Sequence, residues 1–383
     1  MDPGTTALSP RAFHDWGLEL DRPLLVAGPC SAESREQVMA TAGAIASAGQ
    51  AKVFRAGVWK PRTRPGGFEG AGHKALDWLK EVRSRTGLLV MTEVATAEHV
   101  EACLEAGIDM LWIGARTTPN PFSVQAIADA LRGVDIPVFV KNPINPDLQL
   151  WIGAFERLER AGLRRYAAVH RGFSWFHDTP YRNSPMWEFP IRLMAAHPGL
   201  EVLCDPSHIA GEPARLAQVA QEALDLGMSG LMVEVHADPA NALSDARQQI
   251  APEDHAHLIG GLRFRRAAPP EVLRDRLQEL RDVIDGLDEE IAQKLGTRMD
   301  IAARIGEYKH EHRVAILQPE RWEAIMLRQL RLARHLGLSE GFVREFMDAV
   351  HRESIRRQTA AQLEGAPIHP ASLPTLNGDH RTG

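Results

Sequence analysis

Cysteine is scarce in this 383-residue chain, with only Cys30, Cys103 and Cys204. An odd, sparse set excludes a disulfide scaffold. With no basic-then-apolar leader at the N-terminus, it points to a reducing, cytoplasmic setting. Long apolar runs are missing too: no stretch approaches the ~18 residues that a membrane span needs, so none is expected. Nor is there a block of one charge sign. The 44 Lys and Arg are dispersed against 50 Asp and Glu, a net charge of -6, which leaves no basic footprint for nucleic acid. With 44% hydrophobic residues the bulk of the chain is globular rather than disordered. At ~150 residues per domain the length suits two or three domains.

What is present changes character near residue 265. Before it, eight short runs rich in Val, Ile and Leu recur every 22–36 residues, from LLVAGPC (24–30) through KVFRAG, LLVMTEV, MLWIGAR, PVFVKN, YAAVHRG and LEVLCDPS to GLMVEVH (230–236). Runs with little polar alternation suit strands buried on both faces, and most of the stretches between them read as amphipathic helices. Eight such units predict an α/β fold, a (β/α)8 TIM barrel. A doubly wound open sheet is the alternative, and the count of eight favours the barrel.

After Pro269 and Pro270 the period becomes helical, with Leu273, Leu277, Leu280, Ile284, Leu287 and Ile291 spaced by three and four. A helix of ~40 residues would be ~60 Å long. A small domain cannot cover that length alone, so a homodimer through this region is expected. Two more helices are expected near 319–336 and 340–363, with Gly337 as a stop and Ser339 as an N-cap. The organisation predicted is a tail over 1–19, a barrel over 20–264, a linker over 265–269, a small all-α domain over 270–363 and a disordered tail over 364–383.

A barrel carries its chemistry at the C-terminal ends of its strands. There the runs close on Cys30, Arg55, Glu93, Arg116, Lys141, His170 and Arg171, Asp205 and His208, and Glu234 and His236. This set sorts into two chemistries. Cys30, His208, Glu234 and Asp245 offer a thiol, an imidazole and two carboxylates, a mixture suited to a borderline divalent ion such as Mn, Fe, Co or Zn. Arg55, Lys60, Arg62, Arg116, Lys141 and Arg171 offer guanidinium forks and ammonium groups that bind phosphate and carboxylate. So many cations would repel one another in an empty pocket, which predicts a phosphorylated, carboxylated small-molecule substrate. Cys103, inside a helical pattern, and Cys204, inside a strand run, read as structural thiols.

GPCSAES, RAGVWKPRT, IGAR, VKN, DPSH, VEVH and LSD together resemble the type I beta 3-deoxy-D-arabino-heptulosonate-7-phosphate (DAHP) synthases over about residues 20–264. The resemblance implies a (β/α)8 barrel that condenses phosphoenolpyruvate with erythrose 4-phosphate. Matched by motif, it implies that Cys30, His208, Glu234 and Asp245 hold the divalent metal ion. Arg116, Lys141 and Arg171, with Arg55 and Lys60, would bind phosphoenolpyruvate, and Arg62 and Thr63 the erythrose phosphate. Lys60 would serve as a proton donor, with a water held by the ion as the other candidate. The stretches NPINPDLQLW after Lys141 and GFSWFHDTPYRNSPMW after Arg171 depart from the family pattern. A related octulosonate phosphate synthase is the alternative reading, disfavoured by KPRT.

In the helical region Arg298 continues the apolar stripe seven residues after Ile291. Lys309 lies eleven residues further, ~20° off the same face, and Arg281 sits about 100° away from Arg298. Ser354 and Gln358 share a face one turn apart. LRDVIDGLDEEI, Arg298, EYKHEH and ESIRRQ resemble the AroQ class of chorismate mutases over about 270–363. This implies intertwined helices from two chains and a site for chorismate. Arg281 would be borrowed from the partner, and Arg298, Lys309, Arg321, Ser354 and Gln358 would come from the same chain, Lys309 and Gln358 stabilising charge on the ether oxygen. Gln318 stands where an Asp is common, and Trp322 where a Glu often contacts the substrate hydroxyl. The alternative is a helical domain that only dimerises or senses chorismate or prephenate.

Overall fold

Each of the eight apolar runs contains one strand: β1 (Leu24–Gly28), β2 (Val53–Arg55), β3 (Leu89–Val94), β4 (Met110–Ile113), β5 (Val138–Lys141), β6 (Tyr166–His170), β7 (Val202–Cys204) and β8 (Gly230–Glu234). All pair in parallel with their sequence neighbours, and β1 pairs with β8, closing the sheet. The open-sheet alternative is thereby excluded. The computed structural model describes residues 8–20, 22–60, 66–176, 178–264 and 271–364, the last stretch with side chains from 277 to 360. Arg62, Thr63, the linker over 265–269 and the tail from 365 lie outside the described residues.

The pleat sorts side chains between two apolar layers. Leu24, Val26, Val53, Met91, Met110, Trp112, Phe139, Ala167, Val169, Leu203 and Met232 fill the barrel interior. Alternate residues such as Ala27, Phe54, Leu111, Val140 and Cys204 face the surrounding helices and join their apolar faces. Phe13–Trp16, in the segment expected to be a tail, forms a 3-10 turn. Phe13 and Trp16 pack with Phe139 and close the interior at the strand N-termini.

The chain divides into two compact units between Ala267 and Ala268. The second consists of α1 (Glu271–Glu311), α2 (Pro319–Leu336) and α3 (Glu340–Glu364). Gly337 ends α2 in the left-handed region, and the Ser339 hydroxyl accepts from the Phe342 amide at the start of α3. Helices α1 and α3 approach closely at Gly306, where a Cβ would stand 2.6 Å from the Gln358 Cα. Leu330, Ala333, Val343 and Met347 form the core between α2 and α3. Leu280, Val283, Ile284, Leu287 and Ile291 remain about half exposed along α1 in the single chain.

One buried group ties the barrel's stability to pH. His255, on the helix Pro252–Gly261, is 2% exposed, and burial pushes its imidazole down to about 4. The unfolded chain binds that proton near pH 6.5. The stability of the neutral form is therefore complete above pH 6.5 and is lost as pH falls toward 4, by roughly 3 kcal/mol at the limit. Urea denaturation at pH 7 and pH 4.5 should show a smaller acid loss for His255→Gln than for the unsubstituted chain; equal losses would remove His255 as the cause.

Candidate functional site

Two residues beyond each interior apolar position, the same pleat brings polar side chains into the barrel mouth. Arg55 follows Val53, Glu93 follows Met91, Lys141 follows Phe139, Arg171 follows Val169, Asp205 follows Leu203 and Glu234 follows Met232. Gly28 and Gly114 occupy the equivalent places after Val26 and Trp112. A Cβ on Gly114 would sit 2.0 Å from Glu93 Oε1, so that carboxylate uses the space. The layer holds three cations and three acids, and its charges interleave. Arg55 Nη1 donates to Glu234 Oε1 at 3.2 Å, Nη2 donates to the Cys30 carbonyl at 3.1 Å, and the guanidinium lies over Trp112. Lys141 Nζ donates to Asp205 Oδ2 at 2.7 Å. Burial lowers the basicity of Lys141, with Asp205 opposing it. Burial also pushes Arg171 down to about 10, Asp205 opposing and the neighbouring Arg182 and Arg116 adding to the fall. Arg116 is exposed on the turn after β4.

Above this layer, the Cys30 thiol, a Glu234 oxygen and an Asp245 oxygen lie within 4.8 Å of one another. Cys30 Sγ donates to Asp245 Oδ2 at 3.3 Å. His208 does not join that mutual span, but its Nε2 is 3.9 Å from Glu234 Oε1 and its Nδ1 2.8 Å from Asp205 Oδ2. Burial, helped by Glu234, pushes the Cys30 thiol up to about 12. Burial opposes the Asp245 charge, yet Lys60 and Arg182 hold that carboxyl well below the usual range. Lys60 Nζ lies 4.0 Å from Asp245 Oδ2. Burial opposes its charge too, but Cys30, Glu234 and the acids around them raise the ammonium above its ordinary value. A soft sulfur, two carboxylate oxygens and an imidazole edge fit a borderline divalent ion.

Sequence reasoning noted Asp205 at its strand end without giving it a role, and missed Gln248, Arg182 and Asn183, which hold this group in place. Asp205 faces both Lys141 and His208 and caps the helix Pro206–Ala210 by accepting from the His208 amide. Its signal was the pleat, two residues past Leu203. Gln248 Nε2 donates to Glu234 Oε2 at 2.5 Å, while Arg182 donates to Gln248 Oε1 and to Asp245 Oδ1. Asn183 accepts from Arg171 Nη1 at 2.7 Å and donates to the His208 carbonyl at 2.6 Å. These loop residues carried no periodic signal. A cavity of about 620 Å3 opens beside Asp245 and Arg182. Two strand-end histidines serve elsewhere. His170 packs among Trp151, Phe173 and Trp187, and His236 faces Glu33 at 3.4 Å. Cys103 and Cys204 are fully buried, and burial raises both thiols.

The helical unit holds a second cavity, of about 320 Å3, lined by Arg298, Lys309, Gln318, Arg321, Trp322, His351, Ser354 and Gln358 among others. Arg298 donates to the Ser354 hydroxyl, which donates to the Val350 carbonyl at 2.7 Å. Lys309 Nζ donates to the Ile316 carbonyl at 2.6 Å. Gln358 Oε1 is buried without a hydrogen-bond partner among the described residues. Arg281 is exposed and does not line this cavity. Seventeen residues separate it from Arg298 on one helix, about 25 Å at 1.5 Å per residue. His351 was missed, although it lies three residues before Ser354 on the same helical face.

Comparisons with known proteins follow these two units. The DAHP synthetase I family matches residues 19–260, and chorismate mutase type II matches residues 280–359. A curated phospho-2-dehydro-3-deoxyheptonate aldolase from Thermotoga maritima is 32% identical over 226 residues, covering 59% of this chain and 64% of that protein. The chain thus spans just under two thirds of that relative. The 2-dehydro-3-deoxyphosphooctonate aldolase of Azoarcus sp. is 28% identical over 251 residues, covering 59% of this chain and 85% of that protein. The solved DAHP synthase of Thermotoga maritima superposes with a TM-score of 0.56 at 28% identity, over 69% of this chain and 70% of that one. A truncated form gives 0.54 at 26% identity, over 69% and 87%.

Asp205 provides a test of the donor group. Asp205→Asn keeps the shape of the side chain but removes the charge facing His208 Nδ1. Calorimetric titration with Mn(II) should show affinity weakened about 10–100-fold, the usual cost of losing a carboxylate behind a ligand imidazole. Unchanged affinity would mean that Asp205 does not orient His208.

Proposed function

Because the chain belongs to the DAHP synthetase I family and joins that barrel to a chorismate mutase type II domain, we propose that it is a bifunctional enzyme of the shikimate pathway. The barrel condenses phosphoenolpyruvate with erythrose 4-phosphate to DAHP and phosphate, and the helical domain rearranges chorismate to prephenate. The observation that carries the first activity is the charge-balanced mouth, where Arg55, Lys141 and Arg171 adjoin the donor trio Cys30, Glu234 and Asp245.

In this reading Arg55, Arg116, Lys141 and Arg171 hold the phosphate and carboxylate of phosphoenolpyruvate, and Arg62 with Thr63 the phosphate of the sugar. Cys30, His208, Glu234 and Asp245 would hold a divalent ion, which when bound would supply Lewis-acid polarisation of the aldehyde oxygen. Held at near-attack distance, C3 of phosphoenolpyruvate bonds to the aldehyde carbon. Lys60, kept charged by the acids around it, delivers a proton to the developing alkoxide, which becomes the new hydroxyl. Water adds at C2 and phosphate leaves. Asp205 keeps Lys141 placed against the substrate charge. The octulosonate relatives support a second reading in which the acceptor is a five-carbon sugar phosphate.

The mutase needs no acid, base or nucleophile, only a fold of the substrate that brings its reacting ends together. Arg298 and Arg321, with Arg281 from a partner chain, clamp the two carboxylates; Lys309 and Gln358 stabilise charge on the ether oxygen. The half-exposed stripe of α1 and the distance of Arg281 from its own cavity support a homodimer through this domain. No described helix is long and apolar enough to cross a membrane, and we place the enzyme in the cytoplasm.

The two activities separate by experiment. Chelation should abolish condensation and leave prephenate formation intact, with added Mn(II) restoring the first. Cys30→Ala should lower condensation at least about 100-fold, the scale of several kcal/mol from a Lewis acid. Arg298→Ala should lower mutase turnover about 100-fold through a lost charged hydrogen bond and spare condensation. Erythrose 4-phosphate and arabinose 5-phosphate, assayed side by side, decide the acceptor. Condensation that survives both chelation and Cys30→Ala would defeat the metal role.

A further inference from the structure

His351 is a polar side chain of the helical cavity that the assignment above does not use. His351, on α3, lines the cavity with Arg298, Lys309 and Gln358. Its imidazole lies flat against the Trp322 indole of α2, with ring centroids 4.0 Å apart and planes 14° from parallel. The stack fixes the plane of the imidazole between two helices. Partial burial, and then the charge of Arg298, lowers the basicity of His351 against an opposing pull from Asp348. A neutral imidazole offers one donor and one acceptor nitrogen.

The lining sets the chemistry of what binds. Arg298, Lys309 and Arg321 are cations, and no carboxylate lines the cavity among the described residues. A dicarboxylate meets the guanidinium groups and its ether oxygen meets Lys309 and Gln358, which leaves the secondary alcohol of chorismate without a partner. Ser354 is committed to Arg298 and the Val350 carbonyl. Gln318 is exposed at the start of α2. Of the neutral lining groups left, Gln318 and His351, it is His351 that the Trp322 stack holds between two helices. We propose that His351, held in plane by Trp322, hydrogen-bonds the substrate alcohol and makes this cavity selective for a hydroxyl-bearing dicarboxylate. The inference rests on the mutase reading and adds the residue that recognises the alcohol.

The test compares chorismate with the analogue in which hydrogen replaces that hydroxyl, using the full-length chain. Calorimetry reads Kd for both, and kcat/KM is read for both in parallel. The unsubstituted chain should prefer chorismate by about tenfold, the scale of one hydrogen bond left unmade. His351→Phe should collapse that preference toward one by weakening chorismate alone, while His351→Gln, which can still donate and accept, should retain most of it. Trp322→Ala, which frees the ring plane, should reduce the preference without abolishing binding. A preference unchanged in His351→Phe overturns the inference, and so does an equal loss for both ligands. If the unsubstituted chain binds chorismate selectively but forms no prephenate, the mutase reading fails while the recognition role of His351 stands. If it does not bind chorismate at all, both fail.

Discussion

The pleat of a closed parallel barrel is the constraint on which the first unit depends. Eight strands in sequence order, each giving alternate residues to the interior, leave no freedom about which side chains reach the mouth. The interior parity that places Met91, Phe139, Leu203 and Met232 in apolar contact continues two residues on, to Glu93, Lys141, Asp205 and Glu234. A one-residue slip of a strand would exchange the two faces. Lys141 would then enter the helix-facing layer, where a charge without a partner costs several kcal/mol. Architecture and site are thus one consequence of a single alternation.

Electrostatics then sets the character of that mouth. Counted as cations alone, Arg55, Lys141 and Arg171 would repel one another, which is why the sequence pointed to anionic substrates. The folded chain answers part of that repulsion itself. Glu234 pairs with Arg55, and Asp205 pairs with Lys141 while facing His208. Buried charges persist only when paired and hydrogen-bonded. The Arg171 guanidinium, by contrast, donates to the Asn183 amide oxygen and the Gly172 carbonyl rather than to a carboxylate. Its charge is the least compensated of the three, and burial lowers it.

How much of this was legible depended on periodicity. Parallel strands covered on both faces read as continuous apolar runs, so all eight strands were visible, as was the 41-residue α1 from its spacing of three and four. The thiol, imidazole and carboxylates of the candidate metal group were visible as residue types at or beyond the ends of the apolar runs. Asp205 was noted at its strand end, but its role as the shared counter-ion of Lys141 and His208 depends on a 64-residue separation closed only by folding. Gln248, Arg182 and Asn183 sit in loops, where no repeat distinguishes an orienting side chain from a solvated one. Phe13 and Trp16 lie before the first strand in a segment with no periodic pattern, yet they close the interior.

The two cavities arrange their charges in opposite ways, and the difference follows from their elements. A barrel mouth collects residues from eight strands, so acids and cations can alternate around it and a divalent ion can share the carboxylates. A three-helix cavity draws on a few faces at spacings of three and four, here giving Arg298, Lys309 and Arg321 with no acid among the lining residues. Such a cavity keeps its positive potential by lodging hydrogen bonds on neutral oxygens: the Ser354 hydroxyl for Arg298 and the Ile316 carbonyl for Lys309. Neither partner cancels charge, so the field remains for the ligand. A carboxylate in place of Trp322 would have cancelled part of that field. An imidazole stacked on an indole leaves it intact while still presenting a hydrogen-bonding edge, so the substitution at Trp322 and the placement of His351 form a single electrostatic arrangement.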